Sequence, residues 1–119
     1  MTEQMSVKIA ALPSLRLTVE AHGLMAKKAL GQNFLLDQNI TDKIINLSLQ
    51  KQNKKDFSGA NVFEVGPGPG GLTRAVLAAE PKSLTVVEMD ERCIAIMNEI
   101  KEKTGDILHI INGDAMQTD

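Results

Sequence analysis

Three carboxylates and a cluster of glycines are the residues best placed to do chemistry. Four of the nine glycines fall within residues 66–71, GPGPGG. Gly66, Gly68 and Gly71 satisfy G-x-G-x-x-G, a spacing that lets a strand turn sharply into a helix while the backbone approaches a ligand. Glu64 precedes the loop, Glu88 lies 22 residues after Gly66, and Asp114 follows a third apolar segment. A dinucleotide, its pyrophosphate resting on the helix N-terminus, is one ligand for such a loop. Two features oppose it. Glu64 places a fixed anion close to where phosphates would sit, in the pattern Glu-x-Gly-x-Gly-x-Gly over 64–70. Pro67 and Pro69 each remove a backbone N–H that a phosphate cradle would use. Both features suit S-adenosylmethionine, whose sulfonium and amino groups are cationic. A tight turn with no ligand is the plain alternative.

The neighbouring segments must hold these groups in place. Val62, Phe63 and Val65 form a short apolar run that reads as a buried strand, Leu72 to Glu80 reads as a helix stopped by Pro81, and Leu84, Val86 and Val87 as a second strand closed by Glu88. Asp90 can cap a helix over about 91–103, with Cys93, Ile96, Met97 and Ile100 on one face and Gly105 as its stop. A third strand, about 107–111, runs into Asn112-Gly113-Asp114. Strands alternating with helices predict an α/β fold with parallel strands and helical crossovers. Each acid then sits at a strand's C-terminal end, where open α/β sheets bind ligands. There Glu88 can accept from both ribose hydroxyls, and Asp114 from an adenine amino group. Met89, beside Glu88, can touch the adenine.

The segment before the strands is expected to be helical in part. Met1 to Ala11 shows no clear period and reads as frayed. A helix is expected over about 13–22, with Leu15 and Val19 inward, and another, N-capped by Asp37, through about Gln50, with Ile40, Ile44 and Leu47 inward. Residues 25–36 read as a loop and 51–59 as the one linker-like stretch.

Composition limits the rest. The 119 residues carry 13 Lys+Arg and 15 Asp+Glu, a net charge of −2. Residues 1–60 hold eight bases and five acids (net +3), and residues 61–119 five bases and ten acids (net −5). That asymmetry fits two ordinary solvated surfaces as well as a basic layer for an anionic partner. There is no Trp or Tyr and only three Phe, which leaves little to stack on a nucleobase. The single cysteine, Cys93, excludes an internal disulfide and a Cys-based zinc site, and it reads as a small core residue. His22 and His109 suggest no metal site and are expected to be packed or hydrogen-bonded. No apolar run reaches the length of a membrane span, and the N-terminus lacks a signal-peptide core, so a cytoplasmic protein is expected.

At this point the chain resembles a family. KKALGQNFLLD at 27–37, VFEVGPGPGGLT at 62–73, VVEMD at 86–90 and GDAM at 113–116 are similar to successive motifs of the KsgA-type ribosomal RNA adenine N6-dimethyltransferases. The resemblance runs from about residue 12 to the last residue, and Gly-Gln-Asn-Phe-Leu ahead of the glycine loop is its specific element. It implies a Rossmann-like class I methyltransferase fold, here truncated to about three parallel strands with N-terminal helices. Residues 1–59 would be a helical and cofactor-lid segment, and 60–119 the first half of the S-adenosylmethionine-binding domain. The rest of the catalytic domain and a C-terminal helical domain would be missing.

The implied activity is dimethylation of N6 of two adjacent adenines near the 3′ end of small-subunit ribosomal RNA, with the 30S subunit as partner. By motif position Gln32, Asn33 and Leu35 would close over the cofactor's methionine end, and Gly66 and Gly68 would line it. Glu88 would hold the ribose, and Asp114 with Ala115 the adenine. Lys27 and Lys28 are candidate phosphate contacts. The family's catalytic Asn-Leu-Pro-Tyr occurs nowhere in the chain, so no catalytic residue is assigned and residues 1–119 are expected to be inactive alone. A non-catalytic cofactor- or ribosome-binding module is the alternative. The first strand is expected to expose a free apolar edge through which the chain can self-associate, whereas the full-length protein is expected to be a monomer.

Overall fold

A computed structural model describes residues 4–24 and 38–114. Its elements follow the order α1 (Met5–Ala10), α2 (Leu15–Ala21), α3 (Gln38–Lys51), β1 (Asn61–Val65), α4 (Gly71–Ala78), β2 (Ser83–Glu88), α5 (Glu91–Thr104) and β3 (Leu108–Asn112). The strands form one parallel sheet in the order β1-β2-β3, as the α/β reading requires.

Strand alternation separates the two faces of this sheet. Val62, Leu84 and Leu108 lie in one register row, and Glu64, Val86 and Ile110 in the next on the same face. Leu84, Val86 and Leu108 are fully buried there beneath Val76 and Leu77 of α4 and Ile96, Met97 and Ile100 of α5. Ile45 and Leu49 of α3 complete that core. The opposite face carries Phe63, Thr85 and His109, then Val65, Val87 and Ile111. There Phe63 is 73% and Val65 68% exposed. The expectation of a buried first strand is therefore corrected. An apolar run bounded by turns does not say how many faces are covered, and here both crossover helices lie on one side. His109 is likewise exposed rather than packed.

Local signals explain most element ends. Ser14 caps α2 by accepting from Leu17 N at 3.2 Å, and Leu15 and Val19 face inward as expected. Asp90 caps α5 by accepting from Arg92 N at 2.8 Å, and Gly105 ends it at φ +89°. Cys93, Ile96, Met97 and Ile100 are its buried face. Burial and the nearby carboxylates of Glu88 and Asp90 push the Cys93 thiol up to about 11, so it behaves as a small apolar side chain.

Three further expectations change. Residues 5–10 form α1, although Met1 to Ala11 reads as frayed; Met5 and Ile9 pack on the core and supply what local propensity does not. The buried stripe of α3 is Thr41, Ile45 and Leu49, whereas Ile44 and Leu47 are about half exposed. Thr41 is tolerated at 0% exposure because its hydroxyl donates to Gln38 O and accepts from Gln38 Nε2. The linker-like stretch is docked: Phe57 packs against the core and its N–H donates to Ala79 O at 2.8 Å. The Asp37 cap and the loop expected over residues 25–36 lie outside the described residues.

Candidate functional site

The C-terminal ends of the three strands are locked into one rim. Gly66 N donates to Val87 O and Gly113 N to Glu88 O, both at 2.9 Å, so the ladder continues one residue beyond the strands. Between β1 and α4 the chain alternates Gly66-Pro67-Gly68-Pro69-Gly70, and all three glycines have positive φ (+67°, +56° and +95°). The prolines fix the intervening φ values near −65°. Gly71, the third glycine of the sequence pattern, is instead the first residue of α4. A Cβ at Gly66 or Gly68 would meet nothing within 4 Å, whereas one at Gly70 would lie 2.9 Å from Ile100 Cδ1 and 3.0 Å from Met97 Cε. A side chain at Gly70 would therefore press the ends of two buried core side chains as well as strain a backbone at φ +95°. Gly66 and Gly68 leave an open backbone surface that a ligand can approach.

Glu88 anchors this loop. Its Oε1 accepts from Gly68 N at 3.2 Å, and its Oε2 accepts from Met89 N at 2.9 Å and Asp90 N at 3.0 Å. A carboxylate offers about four lone-pair positions, so acceptor capacity remains on Oε1. Met89, 63% exposed, stands beside it.

Glu64 lies on the inner face of β1, in the row of Val86, and its Oε1 accepts from Thr73 Oγ1 at 2.7 Å. That bond fastens the start of α4 to β1. Burial raises the Glu64 pKa above its ordinary value; the Thr73 bond opposes this and the Glu88 charge adds to it. Asp114 stands just beyond β3 on the same rim and is engaged with a neighbour.

The rim thus gathers Glu64, Gly66, Gly68, Glu88, Met89 and Asp114 of the expected set. Lys27, Lys28, Gln32, Asn33, Leu35 and Ala115 lie outside the described residues. Among the described residues no His, Cys, Asp and Glu cluster could hold a metal ion. Two supporting residues escape a reading of the sequence. Thr73 partners Glu64, and Gln38 Nε2 donates to Gly71 O at 3.2 Å, tying α3 to the loop. The position of Thr73 on the inner side of a helix opening right after a Glu-preceded glycine loop is the only signal for the first. Nothing in the sequence signals the second.

Glu64 and Glu88 accept only from N–H and O–H groups, and neither forms an ion pair among the described residues. Such uncompensated negative charge fits a ligand with cationic and hydroxyl groups and disfavours a pyrophosphate. The donor set therefore fits S-adenosylmethionine. Comparison with known proteins agrees with this chemistry. The family model described as ribosomal RNA adenine dimethylase matches residues 23–119. The chain belongs to this family. Among curated members, Ribosomal RNA small subunit methyltransferase A of Allorhizobium ampelinum is 51% identical over 108 residues, covering 91% of this chain and 37% of the relative. The protein of the same name from Mesorhizobium japonicum is 47% identical over 113 residues, covering 95% and 38%. The chain thus spans little more than a third of the length of these relatives. A candidate RNA methyltransferase of Pyrococcus horikoshii, solved by crystallography, matches the whole chain and 53% of its own, with a TM-score of 0.62 and 16% identity. At that identity the likeness shows a shared Rossmann-like α/β fold and nothing further.

Proposed function

We propose that this chain holds S-adenosylmethionine at the rim of β1–β3, for an enzyme that dimethylates N6 of two adjacent adenines near the 3′ end of small-subunit ribosomal RNA. The observation that carries the reading is the pair of unneutralised carboxylates, Glu64 and Glu88, around the open backbone of Gly66 and Gly68. The cofactor supplies an electrophilic methyl group. The chain's own residues bind and orient it. Glu88, already held by three backbone N–H groups, accepts from the ribose hydroxyls, and the Gly68 N–H yields when both hydroxyls are held. Gly66 and Gly68 line the methionine end, and Glu64 supplies negative charge behind it. Asp114 and Ala115 hold the adenine, with Met89 against it. Gln32, Asn33 and Leu35 close over the methionine end, and Lys27 and Lys28 contact RNA phosphates.

The assignment of ribosomal RNA, and of the 30S subunit as its carrier, rests on family membership. So do the cytoplasmic setting and a monomeric full-length enzyme. No described helix is long and apolar enough to cross a membrane. Transfer to an exocyclic amine needs acceptors that draw electron density onto its nitrogen, and a base held out of its stack. Asn-Leu-Pro-Tyr, which does this in the family, is not in the chain, so residues 1–119 alone bind without turnover. The exposed face of the sheet, with Phe63 and Val65, and the edge of β1, unpaired among the described residues, would let copies of this chain associate.

Photolabelling with radioactive S-adenosylmethionine tests the reading. Label should enter the chain and be displaced by S-adenosylhomocysteine but not by NAD. Displacement by NAD alone would overturn it. Incubation with unmethylated small subunits should yield no dimethyladenosine, and its appearance would overturn the assignment of the chain as inactive alone.

A further inference from the structure

Arg74 of α4 serves none of the roles above. It is 5% exposed. Its Nη2 donates to Thr18 Oγ1 at 3.3 Å, and its buried Nε has no acceptor among the described residues. A guanidinium carries five donors and remains charged in proteins. Burial pushes the Arg74 pKa down, and no carboxylate forms an ion pair with it among the described residues. A buried cation left in this state is costly unless an anion joins it.

The space for that anion is present. Arg74 lines a cavity of about 490 Å³ formed with Ser6, Leu12, Ser14, Gln38 and Asp42. These residues come from α1, α3 and the turn before α2, not from the strand-end rim. Ser14 Oγ accepts from Leu17 N, which leaves its O–H free to donate. Asp42 is exposed and accepts from Gln38 Nε2 at 3.1 Å, so its carboxylate is not spent on Arg74.

We propose that this cavity binds a phosphate group that still bears a proton, either inorganic phosphate or a terminal phosphomonoester of an RNA strand. Its unprotonated oxygens accept from the Arg74 guanidinium and the Ser14 hydroxyl. Its P–OH donates to the Asp42 carboxylate. A sulfate or an internal phosphodiester has no such proton to give near neutral pH and meets the Asp42 charge unrelieved; a terminal phosphomonoester, whose second pKa is about 6, is largely dianionic at pH 7 and takes up the proton on binding.

Thermal melting and phosphorus NMR on the 119-residue chain test this. Millimolar inorganic phosphate should raise the Tm by a few degrees and broaden the phosphate resonance, whereas sulfate at equal ionic strength should do neither. A 5′-phosphorylated oligoribonucleotide that competes with phosphate, beside a 5′-hydroxyl twin that does not, identifies the terminal monoester as a ligand. Failure of both to compete assigns the site to free phosphate. Arg74→Met should abolish the phosphate effect, Arg74→Lys should keep part of it, and Asp42→Asn should let sulfate bind. Saturating S-adenosylhomocysteine should leave the phosphate response intact. The proposal is overturned by no response to phosphate, by an equal response in Arg74→Met, by sulfate matching phosphate in the unaltered chain, or by loss of the response with S-adenosylhomocysteine.

Discussion

The Glu88 carboxylate reaches across from the end of β2 to accept from the backbone N–H of Gly68, 3.2 Å away. One side chain therefore sets the conformation of the glycine loop and presents the acceptor expected to hold a ribose. Glu88→Gln loses the charge and one acceptor but keeps the shape; Glu88→Ala also frees the loop. Hydrogen bonds to a charged group are worth about 1.5–3 kcal/mol, so Glu88→Ala should weaken S-adenosylhomocysteine binding by roughly ten- to a hundredfold. Glu88→Gln should fall between it and the unaltered chain. Calorimetry reads both.

Glu64 gives the site a pH dependence. Burial and the Glu88 charge raise its pKa in the folded chain, so the folded state binds protons more tightly than the unfolded one. This group's contribution to stability therefore declines as pH rises from its unfolded value through the raised folded value. A bound cation favours the charged carboxylate and reverses the shift. S-adenosylmethionine affinity should accordingly rise over that same window, with proton release detectable as a dependence of the binding heat on buffer ionisation. In Glu64→Gln both effects should disappear.

Gly70 and Gly66 should separate packing from binding. Each has positive φ, and alanine there carries a backbone cost of about 1 kcal/mol or more. Only at Gly70 does the added Cβ press on Ile100 and Met97. Gly70→Ala should thus be the more destabilising in a urea melt. Gly66→Ala should remain better folded yet lose cofactor affinity, because its Cβ points into open space.

The uncovered sheet face should govern association. Phe63 and Val65 are exposed large hydrophobic residues on the edge strand. Replacing both with Lys should lower the mass seen by light scattering towards that of one chain. An unaltered chain that scatters as a monomer at every concentration would contradict the association.

The elements bearing the site were legible because local signals agree with one another. Glycines at positive φ, Asp90 as a cap, Gly105 as a stop and acids at three strand ends all speak of their own neighbourhoods. Which faces are covered was not legible. Phe63 and Val65 have the composition of buried strand residues, and only the placement of α4 and α5 on one side exposes them. Thr41 outcompetes Ile44 for the interior of α3 because Gln38 satisfies its hydroxyl, a contact invisible to periodicity. The expected roles of Gln32, Asn33 and Leu35 came from motif resemblance alone, since side-chain amides and a leucine carry no chemistry legible by themselves.

Calorimetric titration of the chain with S-adenosylhomocysteine and with NAD, repeated on Glu88→Ala, tests the central claim most directly. The account predicts saturable binding of S-adenosylhomocysteine that Glu88→Ala weakens at least tenfold, with NAD binding more weakly or not at all. Tighter binding of NAD, or S-adenosylhomocysteine binding unchanged in Glu88→Ala, would contradict it.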